Sequence, residues 1–201
     1  MVHADACYAR PVTISGIEVR EVTPETWDDF VALFEGRGGP KYCYCLAWRD
    51  RPPNLDHDGR QEAMASRVHA GTPIGLLGYL DGAPVAWCSI APRDTYARLG
   101  GDEYDASLSV WSVVCFFVQR RLRKRGLSRL LLDAAVRHAT AEGADIVEAY
   151  PVDPESPSYR FGGFVSLFRA AGFEERHMAG TRRHVMRLPV SAKGRAATQA
   201  S

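Results

Sequence analysis

Ile17 and Val19 alternate with Glu18 and Arg20, which predicts a strand over 17–22. Thr23-Pro24 then reads as a helix start, with Thr23 as N-cap and Pro24 at the first helical position. Trp27, Phe30, Val31 and Phe34 share one helical face, and Gly36 ends the element. Residues 36–59 are rich in Gly, Pro and aromatics and read as irregular. A second helix is expected over 60–70, stopped by Gly71. The runs 74–80 and 83–90 flank Asp81-Gly82, the signature of a two-residue type I′ hairpin. Residues 92–107 read as a polar loop.

The chain is most apolar over 108–118, LSVWSVVCFFV, where nine of eleven residues are apolar. Such a run predicts a strand buried on both faces and central in a sheet. A helix follows over 127–140, with Leu127, Leu130, Leu131 and Ala134 on one stripe and Gly143 closing it. The segment 145–152, DIVEAYPV, is another buried strand. Pro151, Pro154 and Pro157 mark a rigid loop, a short helix over 165–171 ends at Gly172, and 173–176 and 184–188 complete the strands. The order β-α-α-β-β-β-α-β-α-β-β places the chain in the α/β or α+β class, with a strand–turn–helix–strand unit at its centre. One domain over 14–190 is expected, with 1–13 and 191–201 lacking apolar anchors and frayed.

Composition narrows the function. The 46% hydrophobic and 24% charged fractions of the 201 residues are those of a globular protein. Twenty-five basic and 24 acidic residues leave a net charge of +1, so the chain as a whole does not suit a polyanion. No run approaches the ~18 apolar residues of a membrane helix, and the start MVHADACYARPVT does not read as a secretory signal. A cytoplasmic protein is expected, and the excess of Arg over Lys, beside many Ala and Gly, hints at a bacterial source. Cys7, Cys43, Cys45, Cys88 and Cys115 form no Cys-x-x-Cys pair, so neither zinc nor another metal is expected.

Chemistry concentrates between 118 and 130. Six of the ten residues from 120 to 129 are basic, and Gly126 stands where the buried strand becomes a helix. Glycine there lets backbone N–H groups approach a ligand, and the helix N-terminus adds unpaired donors and partial positive charge. That arrangement suits a pyrophosphate. The run is one turn long without interleaved aromatics, which argues against nucleic acid.

Arg123-Lys124-Arg125-Gly126-Leu127-Ser128 resembles the Arg/Gln-x-x-Gly-x-Gly/Ala signature of the GNAT superfamily of N-acetyltransferases, with Ser128 at the last position. The flanking strand, helix and next strand fit the resemblance, as does Leu167-Phe168-Arg169-Ala170-Ala171-Gly172-Phe173. It implies a mixed, mostly antiparallel sheet flanked by helices, with acetyl-CoA as co-substrate in the splay between two central strands. Backbone groups of Phe116, Phe117 and Val118 would meet the pantetheine arm. Backbone amides of Arg123, Lys124, Arg125, Gly126, Leu127 and Ser128 would hold the pyrophosphate, with Phe168 alongside. The implied reaction is direct acetyl transfer to a primary amine. The partners are then a small-molecule amine acceptor and, as in a homodimer, a second copy of the chain, with neither nucleic acid nor membrane.

Two positions depart from the pattern: the central strand has no carboxylate for the base, and Phe168 replaces the tyrosine acid of similar enzymes. Glu148, inside DIVEAYP, is the substitute base, since burial raises a carboxyl pKa; the competing reading is a salt-bridged glutamate. Tyr159 is the candidate acid. A catalytically silent acyl-CoA-binding module is the alternative function. The aromatic cluster from Lys41 to Trp48 is expected to wall the acceptor pocket, and Asp102, Glu103 and Asp105 would favour a cationic acceptor. Cys115 reads as a small buried residue rather than a nucleophile, His57 as part of a solvated loop and His138 as structural.

Overall fold

The computed structural model describes residues 12–14, 16–101 and 106–199. Its strands are β1 (Val12–Ile14), β2 (Ile17–Glu21), β3 (Leu76–Leu80), β4 (Ala83–Pro92), β5 (Val110–Val118), β6 (Ile146–Ala149), β7 (Glu174–Ala179) and β8 (Arg183–Pro189). Its helices are α1 (Trp27–Glu35), α2 (His57–His69), α3 (Leu127–Ala141), α4 (Val165–Arg169) and α5 (Ala192–Gln199). Among the described residues the strands make one sheet in the order β1-β2-β3-β4-β5-β6-β8-β7, in which only the β5–β6 pairing is parallel. This is the mixed, mostly antiparallel sheet expected.

Local chemistry explains most boundaries. Asp81 and Gly82 both take positive φ, 52° and 77°, as a type I′ turn requires. At the first helix, Pro24–Thr26 is a 3-10 turn, and Thr26 Oγ1 accepts from the Thr23 N–H at 2.9 Å. The second helix starts three residues earlier than expected, because the Asp56 side chain caps it by accepting from the Gly59 N–H at 2.8 Å.

Two apolar layers cover the sheet. On one face α3 and α4 bury Leu131, Leu132, Ala135 and Phe168 against Val113, Val147, Ala149 and Met186. On the other, α1 and the segment before α2 bury Phe30, Phe34, Tyr44 and Leu46 around Trp87, whose indole N–H reaches Cys45 Sγ at 3.1 Å. Each large side chain buried this way is worth about 1.5–3 kcal/mol.

The loop between β4 and β5 is not uniformly polar in its setting, since Tyr96 and Leu99 are buried against Val114, Tyr150 and Val185. The C-terminal segment, expected to fray, instead forms α5. Asp145 explains it: Ser191 Oγ donates to its Oδ1 at 2.6 Å and Lys193 Nζ lies 3.6 Å from its Oδ2. Gly194 lies so close to the Asp145 carbonyl that a Cβ would meet its oxygen at 2.1 Å, and Ala197 packs on Leu108, Val110 and Ile146. Small residues let the helix lie flat on the sheet end.

His184 on β8 clamps the far edge, with Nδ1 2.7 Å from Glu175 and Nε2 3.1 Å from Asp153. Burial lowers its pKa, but the two carboxylates outweigh burial and the net shift is upward. A raised folded-state pKa contributes stability that is present below the unfolded value of ~6.5 and lost as pH rises through the folded value. His184→Gln should therefore lower the melting temperature by about 2–4 °C, for a contribution near 1 kcal/mol, in mildly acidic buffer. Above pH ~8 the difference should shrink toward zero.

Candidate active site

The parallel pairing of β5 with β6 lasts four residues, Val110 to Val113 against Ile146 to Ala149. β5 then runs on to Val118, whereas the segment after β6 turns away at Tyr150 and rejoins the structure through Val152, which bridges Phe164 and Arg183. The sheet is thus split beside residues 114–118. Val114 is also the extra residue of a β-bulge, since Ser89 pairs with Cys115 and Ile90 with Val113.

Backbone direction along the split follows from the ladder. The Gln119 N–H bonds the Val85 carbonyl, so by antiparallel alternation Phe117 faces β4, while the backbone groups of Phe116 and Val118 face the split. Of the three residues expected to present backbone here, two do so. Phe117 instead sends its side chain into the cluster around Trp87. Phe116 packs near Phe168, 6.1 Å between ring centroids, at the opening of the split. Phe168 is fully buried, so it closes the apolar floor and carries no polar group.

From Val118 the chain makes a 3-10 turn at Arg120–Leu122 and enters α3 through Lys124 and Gly126, both left-handed with φ of 62° and 82°. Leu122 and Leu127 are buried and pin the two ends, leaving residues 123–126 exposed between them. Nothing lies within 4 Å of where a Gly126 Cβ would stand, so the space over this turn is open. The first-turn amides of Leu127 and Ser128 have no helical carbonyl to bond and point along the axis into that space. Arg123 departs from a purely phosphate-facing role, because its Nε donates to the Val118 carbonyl at 3.0 Å. Open space, unpaired amides and surrounding Lys124 and Arg125 fit a pyrophosphate.

Glu148 is buried as expected, and both its oxygens are engaged. Oε2 accepts from Arg187 Nε at 2.7 Å, Oε1 accepts from the Tyr150 hydroxyl, and Arg93 Nε lies 3.4 Å from Oε1. The salt-bridged arrangement weighed for this residue is the one present. Tyr150 stands one residue past the end of β6, so the network borders the split. Burial and the Glu148 carboxylate push the Tyr150 hydroxyl pKa far up.

Tyr159 takes a left-handed φ of 59° on the proline loop, with its ring 5.7 Å from Trp48. Next to it Gly162 packs so tightly on the Tyr150 carbonyl that a Cβ would meet that oxygen at 2.8 Å, which sets the loop across the split. The cluster from Lys41 to Trp48 divides in two. Tyr44, Cys45 and Leu46 are core, while Trp48 reaches the split. Cys115 is half-buried, and its hydrogen bond to Cys45 together with desolvation pushes its thiol well above the ordinary value and keeps it protonated. His57 is engaged with Glu35 at 2.7 Å and Asp58 at 2.8 Å, and His138 lies edge-on to Trp111. Asp102, Glu103 and Asp105 lie outside the described residues.

The sequence reading missed Tyr150, Arg93, Arg183 and Arg187. A usable signal existed on β8, where Arg183 and Arg187 flank Val185 at a spacing of two. Charged residues on the buried face of an inner strand need partners.

Residues 41–162 match the model of the acetyltransferase (GNAT) family, and the chain belongs to that family. It is an acyltransferase by that membership. Similar folds occur in YncA of Salmonella typhimurium, solved with acetyl-CoA, at 17% identity, TM-score 0.56 and coverage of 89% of this chain and 96% of that one. The ribosomal-protein-S5-alanine acetyltransferase of Vibrio fischeri aligns at 10% identity and TM-score 0.60, covering 92% and 98%. The PaiA N-acetyltransferase of Thermoplasma acidophilum, solved with coenzyme A, aligns at 12% and 0.53, covering 86% and 98%. No curated protein matches the chain.

Proposed function

We propose that the protein is an N-acetyltransferase that moves an acetyl group from acetyl-CoA to a primary amine by direct transfer in a ternary complex. The observation that carries this reading is the split between β5 and β6, which leads straight into the open, left-handed turn at the start of α3. Acetyl-CoA supplies an activated acyl carbon as its thioester. The backbone of Phe116 and Val118 aligns the pantetheine arm as an added strand, and the turn holds the pyrophosphate with the backbone amides of Lys124 to Ser128, since the Arg123 N–H, expected to join them, already bonds the Arg120 carbonyl. Phe116 and Phe168 keep water from one wall.

Proton transfer follows from what is free at the split. Glu148 holds Tyr150 and the two arginines in place, so the amine delivers its proton to solvent or arrives neutral. Tyr159, on the loop across the split, returns a proton to the departing thiolate. Tyr159→Phe preserves the ring contacts and removes that proton; it should lower kcat by about 10²-fold with KM unchanged. Wild-type kcat in that variant would assign the proton to water. The whole reading is tested by a panel of primary amines with acetyl-CoA, scored by mass spectrometry for N-acetyl product. CoA binding without product from any amine would defeat it.

A further inference from the structure

Arg183, at the start of β8, borders the split with a partly buried charge that no carboxylate answers among the described residues. Its guanidinium carbon lies 4.2 Å from the Trp48 ring, 5.4 Å from Tyr159 and 5.7 Å from Tyr150. Its Nη1 is buried without a hydrogen-bond partner. No ion pair joins Arg183 to a carboxylate among the described residues, and the neighbouring acids are committed, since Asp153 and Glu175 hold His184 and Glu148 holds Arg187 and Arg93. An unsatisfied buried donor on a charged group costs more than a neutral one, so its retention calls for a partner that arrives.

The geometry narrows that partner. Aromatic rings cover the faces of a guanidinium by cation–π contact and leave its in-plane N–H edge as the binding surface. The complementary group is planar with two acceptor oxygens, namely a carboxylate. Tyr150, one residue beyond the end of the β5–β6 pairing, lies beside this guanidinium and so puts it at the split proposed to take the pantetheine arm.

We propose that Arg183 binds a carboxylate of the acceptor, so that the acceptor is an amine that also carries a carboxylate, such as an amino acid. This rests on the acetyltransferase reading above and deepens it. It runs opposite to the cationic acceptor that Asp102, Glu103 and Asp105 would favour.

The test compares each of a set of L-amino acids with its primary amide and its decarboxylated amine, at neutral pH with saturating acetyl-CoA. The amide has the less basic, more nearly neutral amine, so intrinsic reactivity favours it over the acid. Against that bias the best amino acid should exceed its amide in kcat/KM by at least about tenfold. Arg183→Gln should bring that ratio near one, chiefly through KM, and Arg183→Lys should recover part of it. The melting shift produced by CoA should be the same in wild type and both variants, which separates a lost acceptor contact from a lost fold. Amides, amines or polyamines used as well as the acids would overturn the proposal, as would an unchanged ratio in Arg183→Gln. If CoA binds but no amine is turned over, the transferase reading fails, and the carboxylate site is judged by melting alone. Millimolar amino acid, and not its amide, must then stabilise wild type but not Arg183→Gln; equal shifts or none would overturn it.

Discussion

Saturating CoA is expected to raise the melting temperature by roughly 5–10 °C, because a ligand at ~100 times its Kd adds about 2.7 kcal/mol to a fold of this size. The free thiol suffices, since it keeps the phosphates and the pantetheine arm. Gly126→Glu should abolish the shift. The new side chain enters the open space over the turn, and its carboxylate repels the phosphates at a distance too short for salt to screen. The cost to the unliganded fold should be small. No atom lies within 4 Å of the new Cβ, so only the left-handed φ of 82° is strained, at about 1–2 kcal/mol. Gly126→Ala separates the two effects by adding the same backbone strain without the charge, and it should retain part of the shift. Arg125→Ala should weaken binding by less than about tenfold, because the cradle is mainly backbone amide and neighbouring charges remain. Differential scanning fluorimetry with and without CoA reads all four proteins. A wild-type curve unmoved by millimolar CoA would remove the pyrophosphate site and the function built on it.

What was legible in the sequence is what local chemistry dictates. Asp81-Gly82 can hardly be other than a hairpin turn, and a nine-in-eleven apolar run has only the sheet centre to occupy. Gly126 was legible for the same reason, since a strand-to-helix corner with positive φ demands it. The turn from 123 to 128 is built from such local features, so its shape could be read in order along the chain. At Phe117 it could not, because which way a backbone amide points depends on pairing with β4 and not on residue type.

The side proposed for the acceptor is assembled from afar, and there the alternation of Arg183 and Arg187 about Val185 says that partners are needed but not which ones. β8 inserts between β6 and β7, bringing Arg187 to Glu148 and Arg183 to Tyr150, Tyr159 and Trp48. No periodicity within a segment encodes that insertion. The stretch 44–49 is irregular, as expected, yet it buries Tyr44, Cys45, Leu46 and Arg49, and Arg49 Nη2 reaches the Ile74 carbonyl and the Tyr96 hydroxyl at 3.2 Å each. A buried arginine held by one distant carbonyl and two hydroxyls looks, in sequence, like any surface arginine. The C-terminal helix was lost for a related reason: small residues chosen for close packing resemble those of a tail.

Glu148→Gln should be the most destabilising single change at the site. Glu148 is 2% exposed, and the side chains of Arg187 and Arg93 are 15% and 16% exposed, so removing its charge leaves two guanidiniums in poor solvent. Breaking a buried pair from one side costs about 3–5 kcal/mol, and a glutamine that still accepts one hydrogen bond places the loss near the lower end. The melting temperature should fall by about 6–12 °C. Catalysis reports separately on the proton. A glutamate that took the amine proton would be missed by 10²–10⁴-fold in kcat, and the acidic limb of the pH–rate profile would go with it. A glutamate that only holds Tyr150 and the arginines leaves that limb in place, with kcat within about tenfold in protein assayed well below its melting point. We expect the second outcome, because both oxygens of Glu148 are already engaged, Oε2 by Arg187 and Oε1 by Tyr150 and Arg93. Arg187→Met in the same chain should then return part of the lost stability, since it removes one of the two stranded charges. The two substitutions should be strongly non-additive. Additive losses would mean that the pair contributes little and that Glu148 matters through some other contact.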